Sequence, residues 1–197
     1  MNLEKLNKSK KNFLSIEDIS NILSITKESA KVTANRYVNI GSLLRIKRNF
    51  YITPTKLEQL KESDLFQLAN IIQVPSYISL NSALSYYNIS TQQLRGVIES
   101  VALKRTKSLY VNENQFKYIL VKKSFYNGFI SENNFFIAIP EKALADAIYL
   151  SSMGRYNTDF DAIDFNKINE SKVSKYIKNT NNRSKSFWDN LCKHYRI

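Results

Sequence analysis

The sequence predicts an α+β chain. A small N-terminal helical part closed by a basic two-strand ribbon precedes a mixed α/β part with a small, mainly antiparallel sheet and a helical tail. Three observations carry this. Between Ser15 and Gly41, two short runs with apolar residues at helical spacing flank a three-residue turn. Between Leu43 and Ile52 the period drops to alternation around a basic, polar turn. Beyond Leu94, short runs rich in Val, Ile, Phe and Tyr give way at Pro140 to a helix with a broad apolar face.

The totals bound the answer. The 197 residues can make one large domain or two small ones. At 43% hydrophobic and 12% aromatic the chain is too apolar to be disordered. The net charge of +12 favours an anionic partner, whether nucleic acid, a membrane surface or an acidic protein, although a solvated lysine-rich surface gives the same balance. One Cys and one His exclude an internal disulfide, a cysteine zinc cluster and most catalytic triads. No apolar run approaches the ~20 residues of a membrane span. The first thirteen residues lack an apolar signal region. The expectation is a cytoplasmic protein with no membrane partner.

Residues 1–13 are charged, with Leu3, Leu6 and Phe13 as the apolar positions of a first helix. Ser15 is a good N-cap, and Asp18 three residues on completes an acidic capping box. Ile16, Ile19, Ile22 and Leu23 then define a helix of about two turns. Ser24-Ile25-Thr26 is the turn, and Thr26 caps a helix that runs to Ile40 and stops at Gly41. Ala30, Ala34, Tyr37 and Val38 fall on its inner side. Glu28, Ser29, Val32, Asn35 and Arg36 fall on the other side and, with Lys27, are the helix's candidate DNA contacts. Asn suits adenine, Arg suits guanine, and Val suits a thymine methyl. Leu43–Ile52 reads as a hairpin whose basic tip carries Arg45, Lys47 and Arg48, placed to hold phosphate. Residues 1–56 hold 11 basic and 4 acidic residues, a net of +7. This is the pattern of a winged helix-turn-helix DNA-binding domain.

The rest divides into a linking helix at 57–74 and a C-terminal domain at 75–197. Pro75 forces Val74 out of helical geometry. Ser79 is a cap for a helix from Leu80 to Tyr87, with Asn88 as its left-handed stop. Strand patterns follow at Leu94–Leu103, Ser108–Val111, Phe116–Val121 and Phe135–Ile139. Pro140 opens a helix to Leu150, and Glu170–Ile177 and the region around Phe187, Trp188 and Leu191 complete the tail. Residues 167–197 hold 8 basic and 2 acidic residues. Lys172, Lys175, Lys178, Arg183 and Lys185 make a second basic surface for DNA or an acidic partner.

Catalytic patterns are weak. Asp159, Asp161 and Asp164 could be paired carboxylates, but no phosphate cradle or further ligand accompanies them, and helix capping accounts for Asp164. Cys192 and His194, two apart, do not face each other on a helix. Four glycines leave little room for a phosphate loop. The expectation is a non-enzyme without cofactor or metal.

The phrases PSYISLNSALSYYNI at 75–89 and IAIPEKALADAIYL at 137–150, in this order after the N-terminal pattern, resemble the AbiEi-type antitoxins of bacterial type IV abortive-infection toxin–antitoxin systems. The resemblance covers Ser15 to Leu150 and, more loosely, the tail. It implies an antitoxin and transcriptional autorepressor that binds inverted repeats in double-stranded DNA at its own promoter. It also implies a C-terminal domain that counteracts a nucleotidyltransferase-like toxin, functionally and without a required stable complex. The alternatives are a module that neutralises the toxin by direct binding, and a plain winged-helix regulator. Tyr87 stands where the family usually shows His. Asn49 stands where a glycine is common, and Asn also tolerates positive φ.

Overall fold

The structure is a computed structural model that describes residues 2–197. The Met1 end of the expected first helix lies outside the described residues. The chain divides into two compact units, one running to Leu68 and one from Ala69 to Ile197.

In the first unit, the strongest local signals act as expected. Helix α2 (Ile16–Leu23) starts in the capping box: Asp18 N donates to Ser15 Oγ (3.1 Å), and Ser15 N donates to Asp18 Oδ2 (2.9 Å). Helix α3 (Lys27–Asn39) is capped by Thr26, whose hydroxyl accepts from Ser29 N at 3.2 Å. Ala30, Ala34 and Tyr37 of α3 share a core with Ile16, Ile19 and Leu23 of α2, the two alanines permitting close approach. Strands β2 (Leu44–Lys47) and β3 (Phe50–Ile52) form the hairpin, with Asn49 at φ +63° in its turn.

Two expectations fail here. The first helix, α1 (Asn2–Asn7), stops well short of Phe13, which is buried outside it. Leu14–Ser15 instead forms strand β1, antiparallel to β3, giving the sheet order β1-β3-β2. The cause is distant in sequence. Lys56 is buried, and its ammonium donates to the carbonyls of Ser9 (2.7 Å) and Lys11, holding that segment out of a helix. Pro54 does not end the fold either: it opens helix α4 (Pro54–Glu58), capped by Thr53. The stretch expected as one linking helix thus holds the end of α4 and helix α5 (Glu62–Ile72), which crosses from the first unit into the second.

The second unit is built on a six-stranded sheet: β4 (Ser76–Ile78), β5 (Val97–Ala102), β6 (Lys107–Val111), β7 (Asn114–Leu120), β8 (Phe129–Glu132) and β9 (Phe135–Ala138). Its order is β6-β7-β5-β4-β9-β8. Three of its five pairings are antiparallel, in line with the expected mainly antiparallel sheet, but β5–β7 and β4–β9 run parallel, so the sheet is mixed. Two hairpins, β6–β7 and β8–β9, are each inserted with their later strand inward, beside an earlier strand of the same direction. Parallel neighbours require such crossovers, which strand patterns alone do not reveal.

Helices α6 (Leu80–Tyr86), α7 (Pro140–Ser152), α8 (Glu170–Lys178) and α9 (Asn182–Tyr195) complete this unit. Every residue of α7 from Glu141 to Leu150 is buried, three charged ones included. Helix α9 begins ahead of its apolar anchors because Asn181 caps it, accepting from Ser184 N at 2.8 Å. Among the described residues, no helix is long and apolar enough to cross a membrane.

Candidate nucleic-acid interface

The outer side of α3 is solvent-facing throughout: Lys27, Glu28, Ser29, Val32, Asn35 and Arg36 are all exposed. Val32 is 70% exposed, so it is no part of the core. A bare Val amid polar side chains leaves a methyl-contacting group available. The helix is fixed beneath it by Ala30, Ala34 and Tyr37, so this face is rigidly presented. Lys31, one turn beyond Lys27, is also exposed and belongs to the same stripe. The sequence reading missed it, although the i,i+4 spacing to Lys27 and Asn35 was the available signal.

Three cations are positioned in detail. Lys27 pairs with Glu17 across the turn (2.7 Å), and that hydrogen bond holds its pKa above the usual value. The Arg36 guanidinium lies 5.4 Å over the Tyr37 ring. Arg45 donates to Asn35 Oδ1 and stacks 5.7 Å over Tyr51, tying the hairpin to α3. One carbonyl lone pair of Asn35 is thereby used, and its amide donors remain.

The hairpin does not present its basic residues as one set. A β-bulge lies between Arg45 and Lys47, which pair with the consecutive residues Tyr51 and Phe50. Consecutive strand residues point to opposite faces. Arg45 accordingly lies over Tyr51, and Lys47 lies over Phe50 at 4.8 Å. Arg48 is exposed in the turn beside Asn49. Arg45 and Arg48 are exposed, Arg45 with its guanidinium bonded to Asn35, and Lys47 is half-buried against Phe50.

The second basic surface is split between two helices. Lys172, Lys175 and Lys178 stand on α8, and Arg183 and Lys185 on α9. Lys172 pairs with Glu141 at 3.3 Å. Together with Lys175 and Tyr176 it lines a cavity of about 300 Å³ that none of the other three enters.

The two sequence phrases of the second unit meet at one buried carboxylate. Asp146 accepts hydrogen bonds from Lys142 Nζ (2.5 Å), Tyr77 OH (2.9 Å) and Ser79 Oγ (2.7 Å). Ser79 therefore does not cap α6 with its side chain. Lys142 also sits 3.4 Å over the Phe125 ring. Burial pushes the Asp146 carboxyl up and the Lys142 ammonium down, while their mutual attraction and the hydroxyl donors oppose this. Both side chains are fully buried and mutually satisfied, so this cluster fastens α7 to β4 rather than offering a surface to substrate.

The loop acids have structural partners. Asp164 caps the turn Phe165–Lys167, and Asp161 accepts from Tyr195 OH at 2.6 Å. Burial pushes the Cys192 thiol up to about 11. Among the described residues, no three His, Cys, Asp or Glu side chains are grouped to hold a metal ion.

No family model matches the chain, and no curated protein matches it. Among solved structures it is similar to the RV2827C protein from Mycobacterium tuberculosis, with a TM-score of 0.61 over 97% of this chain and 74% of that one. The two are 11% identical, so the likeness is one of fold.

Proposed function

We propose that this chain is a winged-helix DNA-binding autorepressor and antitoxin of the AbiEi type. On this reading α3 is the recognition helix, in the major groove of an inverted repeat at the chain's own promoter, and β2–β3 is the wing along the phosphates. The observation that carries it is the face of α3: Ser29, Val32, Asn35 and Arg36 are all exposed on a helix pinned to a core, next to a basic hairpin. Arg36 and Asn35 read bases, Val32 meets a thymine methyl, and Lys31, Lys47 and Arg48 hold phosphates. The unit at 69–197 counteracts a nucleotidyltransferase-like toxin, a role that rests on the PSYISL and PEKAL phrases. The protein acts without catalysis, cofactor or metal.

The test is a gel shift on the promoter fragment upstream of the gene at moderate salt. Arg36→Ala should weaken specific binding by about 1–3 kcal/mol and relax preference at one base pair. If Arg36→Ala combined with Lys47→Ala binds as tightly as the wild type, this interface is wrong.

A further inference from the structure

The 69–197 unit keeps an apolar groove open to solvent. Val74, Pro75, Tyr126, Phe129 and Phe136 line about 250 Å³. Val74 is 53% and Phe136 47% exposed, an unusual state for large apolar residues grouped in one place. The wall is rigid. Phe129 stacks on Tyr77 at 4.7 Å and meets Tyr126 and Phe136 at 5.1 and 5.9 Å. The Asn70 amide in the groove is occupied: it donates to Ser76 O (3.3 Å) and accepts from Phe136 N (2.6 Å). What remains on offer is apolar surface.

Val74 is also the rim of a second hollow of about 320 Å³, where Lys104, Arg105 and Lys107 converge. Among the described residues none of these three forms an ion pair. Lys107 lies over Tyr118 at 5.1 Å, and burial together with the charge of Arg105 holds its ammonium below the usual lysine range. Gln73 is already committed, donating to Arg105 O at 3.0 Å. The joined hollows thus present an apolar slot beside a concentrated, uncompensated positive charge.

We propose that these two hollows dock an acidic segment of a partner protein, with an apolar side chain between Val74 and Phe136 and neighbouring carboxylates on Lys104, Arg105 and Lys107. Charge complementarity selects the occupant's sign, and the slot selects its class. Single-stranded nucleic acid needs exposed ring faces for stacking, whereas here Phe129 is packed against three other rings and Val74 and Pro75 are aliphatic. A membrane surface favours projecting apolar side chains, and here the apolar surface is recessed. A small apolar pocket with one exposed ring, Phe136, and an arginine at its edge suits the buried anchor side chain of a protein partner. This surface goes beyond the DNA reading and uses none of the α3 residues.

The experiment selects a random dodecapeptide phage library on the immobilised full chain, with counter-selection on Phe136→Ser. The expected enrichment is a Leu, Phe or Trp close to two or more carboxylates. A synthetic enriched peptide should bind in fluorescence anisotropy, and Phe136→Ser and, separately, Arg105→Glu should each weaken it by about tenfold or more. Both positions are exposed, and melting temperatures near the wild-type value would exclude unfolding as the cause. No enrichment, a basic or uncharged consensus, or full binding by both variants overturns the proposal. So does tighter, Phe136-dependent binding of oligo-dT or of anionic phosphatidylglycerol vesicles. DNA binding through α3 would stand in every one of those outcomes.

Discussion

Asp146 shows how one residue decides what several others do. It is fully buried, and its three donors come from β4, the start of α6 and α7 itself. Removing one partner of a buried pair leaves an uncompensated charge, which costs about 3–5 kcal/mol. Asp146→Ala should therefore lower stability by that amount in denaturant melts. Lys142→Met with Asp146→Leu should cost markedly less than either single change, since no charge is left buried. If the double variant is as unstable as the sum of the singles, the pair is not coupled. Gly128 serves the same cluster. At φ +73° it has no room for a Cβ, which would lie 2.6 Å from Tyr176 Oη and 2.9 Å from Lys142 Cγ. That close approach is visible only with Tyr176 in place.

At the scale of elements, α2 and α3 owe their starts to local chemistry. Replacing Ser15 with Ala removes the hydroxyl that accepts from Asp18 N, and should cost about 1 kcal/mol of stability. The same cap carries a pH signature. Partial burial raises the Asp18 carboxyl, but hydrogen bonds from Lys11 and Ser15 outweigh it and hold the group below its ordinary value. A depressed carboxyl contributes stability above its unfolded pKa and loses it as pH falls through the folded one. Acid titration monitored by circular dichroism should show this loss below the ordinary carboxylate range, and Asp18→Asn should reduce it. The hairpin behaved differently. Its alternation and the left-handed Asn49 were readable, but the bulge between Arg45 and Lys47 was not, because a bulge is defined by the partner strand. That one irregularity puts Arg45 and Lys47 on opposite faces of the hairpin, with Arg45 bonded to Asn35.

For the whole molecule, charge is the controlling quantity. On the proposed DNA-binding reading, log K falls against log salt by about 0.9 for each phosphate the chain neutralises. Arg48→Ala should reduce that slope by about one and leave base preference unchanged. Arg36→Ala should do the reverse, lowering preference with a smaller effect on slope. An unchanged slope for Arg48→Ala, measured by anisotropy over a salt series, would remove the hairpin turn from the interface.

Capping, periodicity and turn chemistry were legible in the sequence because each is settled within a few residues. Ser15, Thr26, Gly41, Asn49, Asn88 and Pro140 announced their roles alone. The exposed stripe on α3 followed from the helical period, since Ala30 and Ala34 could only face inward. Partners from afar were not legible. Lys56 reaches Ser9 and keeps residues beyond Asn7 from joining α1, although their composition suits a helix. The two hairpins insert so that β5–β7 and β4–β9 run parallel, a matter of chain crossover that no strand pattern encodes. The two phrases that carry the family resemblance lie about 50 residues apart in the sequence. Only the fold brings Tyr77 and Ser79 onto Asp146, and only the fold leaves Val74 and Phe136 uncovered, because burial belongs to the assembled surface and not to the residue.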